Sequence, residues 1–309
     1  MFDKFTSAVA IMEVPVNDLS FVWLEITGKC QLRCSHCYAE SGPGGTHGTM
    51  TSQDWESVID QAASLGTRMV QFIGGEPTLH RGLPDMVSRA LDRGLTVEVF
   101  SNLVHVSAQL WDVFSRPGVR LATSYYSDRS DQHEAITQGR GSHARTTANI
   151  AEALRRSIPL RVGLIDVQDG QRVEQARAEL TVLGVTEIGV DRLRQVGRGV
   201  RDRYPDLSQL CGECARGKVA VSPTGDVWPC VFSRWMPVGN VRDRTLAEII
   251  TGPAMAAAQQ QLGAQPVYAR CNPGCCPSTM CDPSCSPSCS PSCAPANNCR
   301  PTGNCAPNY

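Results

Sequence analysis

"CQLRCSHCYAE", residues 30–40, places three cysteines within eight positions in the spacing C-x3-C-x2-C, with no fourth cysteine nearby. Zinc sites and ordinary iron–sulfur clusters take four protein ligands. A site built on three therefore keeps one coordination position for something else. The stretch directly follows "FVWLEIT" (21–27), an apolar run of strand length. Ligands placed just after a first strand set the reading of the rest of the chain.

Downstream, short apolar runs alternate with amphipathic stretches up to residue 190. Strand candidates after the first are "RMVQFIG" (68–74), "LTVEVFS" (95–101), "VRLATS" (119–124), "LRVGLID" (160–166) and "VTEIGVD" (185–191). "TSQDWESVIDQAASLG" has a Thr or Ser cap and a terminal Gly66, and "SHARTTANIAEALRRS" and "QRVEQARAELTVLG" show helical apolar spacing. Six strands, each followed by a helix or a helix-sized segment, imply an α/β fold with a parallel sheet, an incomplete TIM-like barrel of (β/α)6 type. From about 205 the pattern changes to turns and short strands. "KVAVSPTGDVWPCVF" reads as a hairpin, and after 271 the chain becomes rich in Cys, Pro and Ser. Such a tail has little core of its own and needs something else, metal above all, to order it.

The 309 residues suffice for one large α/β domain and a smaller one. A net charge of −1 argues against nucleic-acid binding through bulk electrostatics. No apolar run approaches a bilayer span and the first twenty residues lack a signal-peptide core, so a cytoplasmic location is expected. Thiols stay reduced there. The 15 cysteines, grouped at 30–37, 211–230 and 271–305, are accordingly expected to ligate metal rather than form disulfides; for the last group, disulfides and adventitious metal stay open.

The triplet after the first strand resembles the radical S-adenosylmethionine (SAM) enzymes. The resemblance implies that Cys30, Cys34 and Cys37 hold a [4Fe–4S] cluster whose open iron is chelated by SAM. One electron then cleaves SAM to methionine and a 5′-deoxyadenosyl radical. A structural zinc site with a distant fourth ligand is the alternative. "GGEP" (74–77) follows the second strand, where the family has the motif that meets the SAM amino group; Gly74 and Gly75 allow close approach, Glu76 supplies a carboxylate and Pro77 completes the set. Ser101 and Asn102 in "FSN" resemble the segment near the ribose. Ser124 either bonds SAM or caps the next segment. His36 stands where the family has an adenine-side aromatic residue, free to stack or to titrate, and Tyr38 joins it on the cofactor side. Arg140 is a candidate for the SAM carboxylate or else a surface arginine. The other histidines (47, 80, 105, 133, 143) lack metal-ligand spacing and are read as solvated.

Cys211-x2-Cys214, ten residues, Gly225, four residues and Cys230 resemble the SPASM and twitch extensions of that family, in which a hairpin carries an auxiliary [4Fe–4S] cluster; a zinc knuckle is the alternative. "GNVRD" (239–243) and "TLAEII" match the strand and helix that follow. By the same resemblance Cys285 returns to the first auxiliary cluster, and Cys271, Cys275 or Cys276, Cys281 and a late cysteine serve a second, giving one or two auxiliary clusters. The domains expected are an extension at 1–20, the partial barrel at 21–200, and a small Cys-rich SPASM/twitch-like region at 201–309.

The family reading points to an oxidoreductase that matures a ribosomally made peptide by crosslinking, epimerisation or oxidation. Its partners would be the substrate peptide and a flavodoxin- or ferredoxin-type reductant; since twenty residues before the barrel cannot hold a leader-binding module, either a separate leader-binding protein presents the leader or the peptide is recognised directly. The alternative substrate is a small molecule, an aminocyclitol or sugar intermediate taken by a dehydrogenase. Neither reading involves nucleic acid or a membrane.

Overall fold

The computed structural model describes residues 19–202 and 204–263. Six strands and their helices follow in alternation: β1 (Phe21–Thr27), α1 (Ser52–Ser64), β2 (Met69–Gly74), α2 (Leu83–Asp92), β3 (Thr96–Phe100), α3 (Ala108–Phe114), β4 (Val119–Tyr125), α4 (Ser130–Thr137), α5 (Ser142–Arg155), β5 (Leu160–Asp166), α6 (Val173–Leu183) and β6 (Glu187–Arg192). A second set comprises β7 (Lys218–Val221), β8 (Asp226–Trp228), β9 (Gly239–Asn240), α7 (Leu246–Ile250) and α8 (Pro253–Gly263). All six barrel strands stand within two residues of their sequence positions. Three helices, α2 to α4, carried no stated expectation.

Local chemistry accounts for the starts. Thr51 and Asp54 form a reciprocal capping box at α1, an arrangement worth about 0.5–2 kcal/mol. Thr245 and Glu248 do the same at α7. β1 is buried at all seven positions, as a strand covered on both faces requires.

β1 to β6 pair in sequence order, all parallel. The hairpin β7–β8 is antiparallel, and β7 pairs parallel with β1 from Phe21↔Lys218 to Leu24↔Val221. The smaller cysteine-bearing region thus extends the barrel sheet instead of standing apart from it. The sequence carries no signal for that join. Gly225, at φ +90, turns the hairpin, and a Cβ there would come within 2.6 Å of Asn240 Oδ1.

Inside the barrel Glu98 on β3 gathers Gln71 from β2, Arg161 from β5 (Nε at 2.8 Å) and Arg120 from β4 (3.1 Å). Arg120 continues to Glu187 on β6 at 2.6 Å. Five neighbouring strands are tied at one level. Removing Glu98 would take the carboxylate partner from the buried Arg161, a loss typically worth about 3–5 kcal/mol. Above this layer the lumen opens towards the C-terminal ends of the strands, where the loops gather. Among the described residues no helix is long and apolar enough to cross a membrane.

Candidate functional site

An open cavity of about 190 Å³ occupies that end. Cys30, Cys34, Cys37, His36 and Tyr38 line one side, Gly74, Gly75, Asn102 and Ser124 the strand ends, and Val231 and Phe232 the side of the second region. The three thiols are free. Burial raises the Cys30 thiol to about 12, with the Glu76 carboxylate adding to the effect, and burial and the other two thiols raise Cys34 as well. Thiols that oppose one another's ionisation need a cation to become thiolates together. Among the described residues no three His, Cys, Asp or Glu side chains close around a single point; the triplet lines a wall with room before it. That donor set fits an iron–sulfur cluster with an open iron. Cys30 Sγ already accepts from Leu32 N (3.4 Å) and Asn102 Nδ2 (3.7 Å). Asn102, expected near a ribose, therefore stands beside a thiol.

The "GGEP" turn works differently from its sequence expectation. Gly74 and Gly75 line the cavity, yet their missing Cβ atoms make room for protein backbone: added carbons would collide with Thr27 O and Lys29 O. Gly75 N donates to Thr27 O (2.7 Å) and Glu76 N to Lys29 O (2.9 Å), zipping the turn onto the exit of β1. Glu76 is fully buried and absent from the cavity lining. Its Oε1 accepts from Thr78 N (3.1 Å), Thr78 Oγ1 (2.7 Å) and Ser101 Oγ (2.8 Å), and its Oε2 from Asn102 N (2.8 Å). The carboxylate ties β2 to β3 behind the wall, with Pro77 and Ser101 buried beside it. Burial pushes its pKa up while these donors hold it down.

Glu76→Gln sets an amide NH2 against one of four donors, an unsatisfied contact costing about 1–3 kcal/mol. A fall in melting temperature is expected, with SAM affinity lost only as far as Asn102 and the glycines move. If binding weakened a hundredfold at unchanged stability, the carboxylate would be facing the ligand after all.

His36 faces Tyr126 edge-on at 5.0 Å. Burial, reinforced by Arg201 and Arg198, lowers its pKa to about 4, so the ring is neutral at pH 7 and can stack. Tyr38 packs edge-on against Phe232 at 5.1 Å, and its hydroxyl adjoins Glu25. Glu25 in turn holds Arg234 at 2.7 Å. Ser124 lies in the cavity beside the Tyr126 hydroxyl. Arg140 is exposed on the α4–α5 turn and lines none of the cavity; the guanidinium groups present there are those of Arg192, Arg194 and Arg198. His133, read as solvated, is 2% exposed and lines the cavity, with a pKa lowered to about 3 by burial and His143. Sequence offered no hint of this, because α4 was not recognised.

In the second region Cys211, Cys214 and Cys230 are all buried and free, and Cys214 Sγ lies 3.0 Å from Cys230 Sγ. Cys211 adjoins Cys214 as well. The hairpin returns Cys230 to the pair and so gathers three thiols, the donor type that an iron–sulfur cluster takes. Cys271, Cys275, Cys281 and Cys285, with residues 1–18 and the tail, lie outside the described residues.

Comparison with known proteins agrees with this geometry. A family model described as the radical SAM superfamily matches residues 24–180, and one described as an iron–sulfur cluster-binding domain, SPASM, matches residues 199–277. PqqA peptide cyclase of Xanthomonas campestris pv. campestris is 26% identical over 273 residues, covering 74% of this chain and 72% of that protein. Streptococcus suis SuiB bound to its precursor peptide SuiA superposes with a TM-score of 0.67 at 13% identity, over 78% of this chain and 67% of SuiB. The enzyme anSMEcpe, with bound AdoMet and Cp18Cys peptide, gives 0.60 at 11% identity, over 77% of this chain and 81% of its own. At those identities the structures speak for the fold alone. The first family match spans just over half of the chain: the protein belongs to the radical SAM superfamily, with that family's iron–sulfur and SAM cofactors and a SPASM cluster-binding domain after the barrel.

Proposed function

We propose that the protein matures a ribosomally made peptide. One observation carries the reading: a single cavity has the cysteine triplet on one wall and Val231 and Phe232, next to Cys230, on another. A substrate held there touches both cysteine territories at once. In this reading Cys30, Cys34 and Cys37 hold the SAM cluster, and Cys211, Cys214 and Cys230 hold an auxiliary one. When bound, the cluster and SAM together supply a 5′-deoxyadenosyl radical able to take hydrogen from an unactivated carbon.

The chain's own residues bind and orient. Gly74, Gly75 and Asn102 form the strand-end wall and His36 and Tyr126 a neutral aromatic wall. The apolar side chains of Ile73, Phe100, Ile165 and Phe232 keep water from the lumen. A peptide substrate is favoured because a relative covering 74% of the chain is named for cyclising one. The change made is a crosslink, an epimerisation or an oxidation.

Anaerobic co-expression with each short peptide encoded beside the gene, read by intact mass, tests this. Loss of two hydrogens from one peptide is the result of a crosslink or an oxidation, and a D-residue in a peptide of unchanged mass is that of an epimerisation. Unmodified peptides together with turnover of an aminocyclitol or sugar by the purified enzyme would replace the peptide reading by the small-molecule one.

A further inference from the structure

The cysteine loop is held from the opposite edge of the barrel. After β6 the chain passes through a 3₁₀ turn, Gly197–Gly199, that lies on the backbone of residues 34–41. Arg198 N donates to Cys37 O at 3.0 Å. The guanidinium adds Nε to Cys34 O at 2.9 Å and Nη2 to Ser41 O at 2.6 Å.

Such closeness depends on the flanking glycines. A Cβ on Gly197, whose φ is +58, would collide with Tyr38 O and stand 2.7 Å from Cys37 O. One on Gly199 would collide with Arg194 O and stand 3.3 Å from His36 O. Carbonyls of five residues in the loop therefore meet this one turn. The turn is itself anchored, through Arg194 Nη1 to Gln209 O (2.9 Å) and Gln195 N to Gln209 Oε1 (2.8 Å).

The Arg198 side chain bonds the backbone carbonyls of Cys34 and Ser41, and among the described residues no carboxylate pairs with its charge. It lies close enough to Cys34 to favour the thiolate against burial.

We propose that Gly197-Arg198-Gly199 is a strap that positions the cluster-bearing loop, and that Arg198 sets the reduction potential of the cluster held there. The inference rests on the reading of Cys30, Cys34 and Cys37 as its ligands. The physics is direct. Reduction adds negative charge to the cluster, and a nearby cation stabilises that product, raising the potential. Fixing three carbonyls also fixes the peptide planes from which the thiolates project. Lysine would preserve the charge but not the planar fork that reaches two carbonyls.

The test uses the full chain, reconstituted anaerobically, as wild type, Arg198→Gln, Arg198→Lys and Gly197→Ala. The readouts are iron content, the midpoint potential from a redox titration followed by electron paramagnetic resonance, and kcat and KM for SAM cleavage. The Cys30/Cys34/Cys37 triple alanine variant supplies the auxiliary signal for subtraction. In Arg198→Gln the potential of the SAM cluster should move negative and kcat fall about tenfold, the scale of one charge-assisted hydrogen bond, with KM for SAM changed less. Arg198→Lys should return the potential towards wild type without restoring kcat. Gly197→Ala, which keeps the arginine but pushes the turn off Tyr38 O, should lower kcat too. Selective loss of SAM-cluster iron in Arg198→Gln would equally support the strap. Wild-type potential and kcat in Arg198→Gln would overturn it; should that variant not fold, wild-type kcat in Gly197→Ala would do so. If the wild-type chain holds no iron that the triple variant lacks, the ligand assignment itself has failed, a separate result.

Discussion

Replacing Cys30, Cys34 and Cys37 together by Ala is expected to abolish 5′-deoxyadenosine formation and to remove about four irons per chain, the content of one [4Fe–4S] cluster, while iron remains at the second cysteine group. The two groups are separate in the structure. The triplet lies on the loop after β1, with Cys30 and Cys34 packed in a small apolar group with Leu32 and Val104. Cys211, Cys214 and Cys230 instead belong to the main core around β7 and β8. Exchanging a thiol for a methyl group leaves each Cβ in place, and the loop keeps its backbone bonds to α4, Arg33 N to Thr137 O and Ser35 N to Ile136 O. The fold should therefore survive. Iron and sulfide analysis with mass spectrometry of the SAM products checks both halves. Disappearance of all bound iron would mean that the two groups serve one site.

Cys230→Ala is expected to have the opposite signature: 5′-deoxyadenosine still forms in the presence of reductant, and modified product does not. Cys230 is 2% exposed, with its Sγ 3.0 Å from Cys214 and its amide donating to Ser233 Oγ at 2.9 Å. Among the described residues its hydrogen bonds run to Cys214 and Ser233 and not to the strand ends that carry Gly74, Gly75 and Asn102. On the proposed assignment, losing it removes a ligand from the auxiliary group and leaves the SAM side intact. Val231 and Phe232 follow it into the cavity wall, so the substrate loses its docking surface or the acceptor for its remaining electron. Damage to the barrel is the competing explanation, because β7 pairs with β1. Far-ultraviolet circular dichroism and the iron content of the triplet, both at wild-type values, exclude it. A folded variant that still makes full product would show that the 211–230 group is structural.

The sequence by itself determined what depends on neighbours along the chain. Apolar runs of strand length marked β1 and β5 to the residue, the Thr51 cap marked α1, and the spacing of Gly225 and Cys230 marked the hairpin. Each is a local property: a short apolar run, a cap's hydrogen bond or a turn's positive φ is satisfied within a few residues. The triplet was legible for the same reason, since its three cysteines share one loop.

Tertiary structure alone decided what those residues face. Glu76 has the composition of a ligand-binding carboxylate but points behind the wall, because its four donors come from Thr78, Ser101 and Asn102 and satisfy it there. Arg140 and Arg198 are both arginines flanked by glycines. Only the path of the chain after β6 puts Arg198 on the cysteine loop, 164 residues from Cys34, and leaves Arg140 in solvent. The join of β7 to β1 is likewise a pairing of distant strands. Contacts of that separation are selected by the packing of the whole sheet, where many weak terms favour one arrangement together, and no single stretch of sequence carries their imprint.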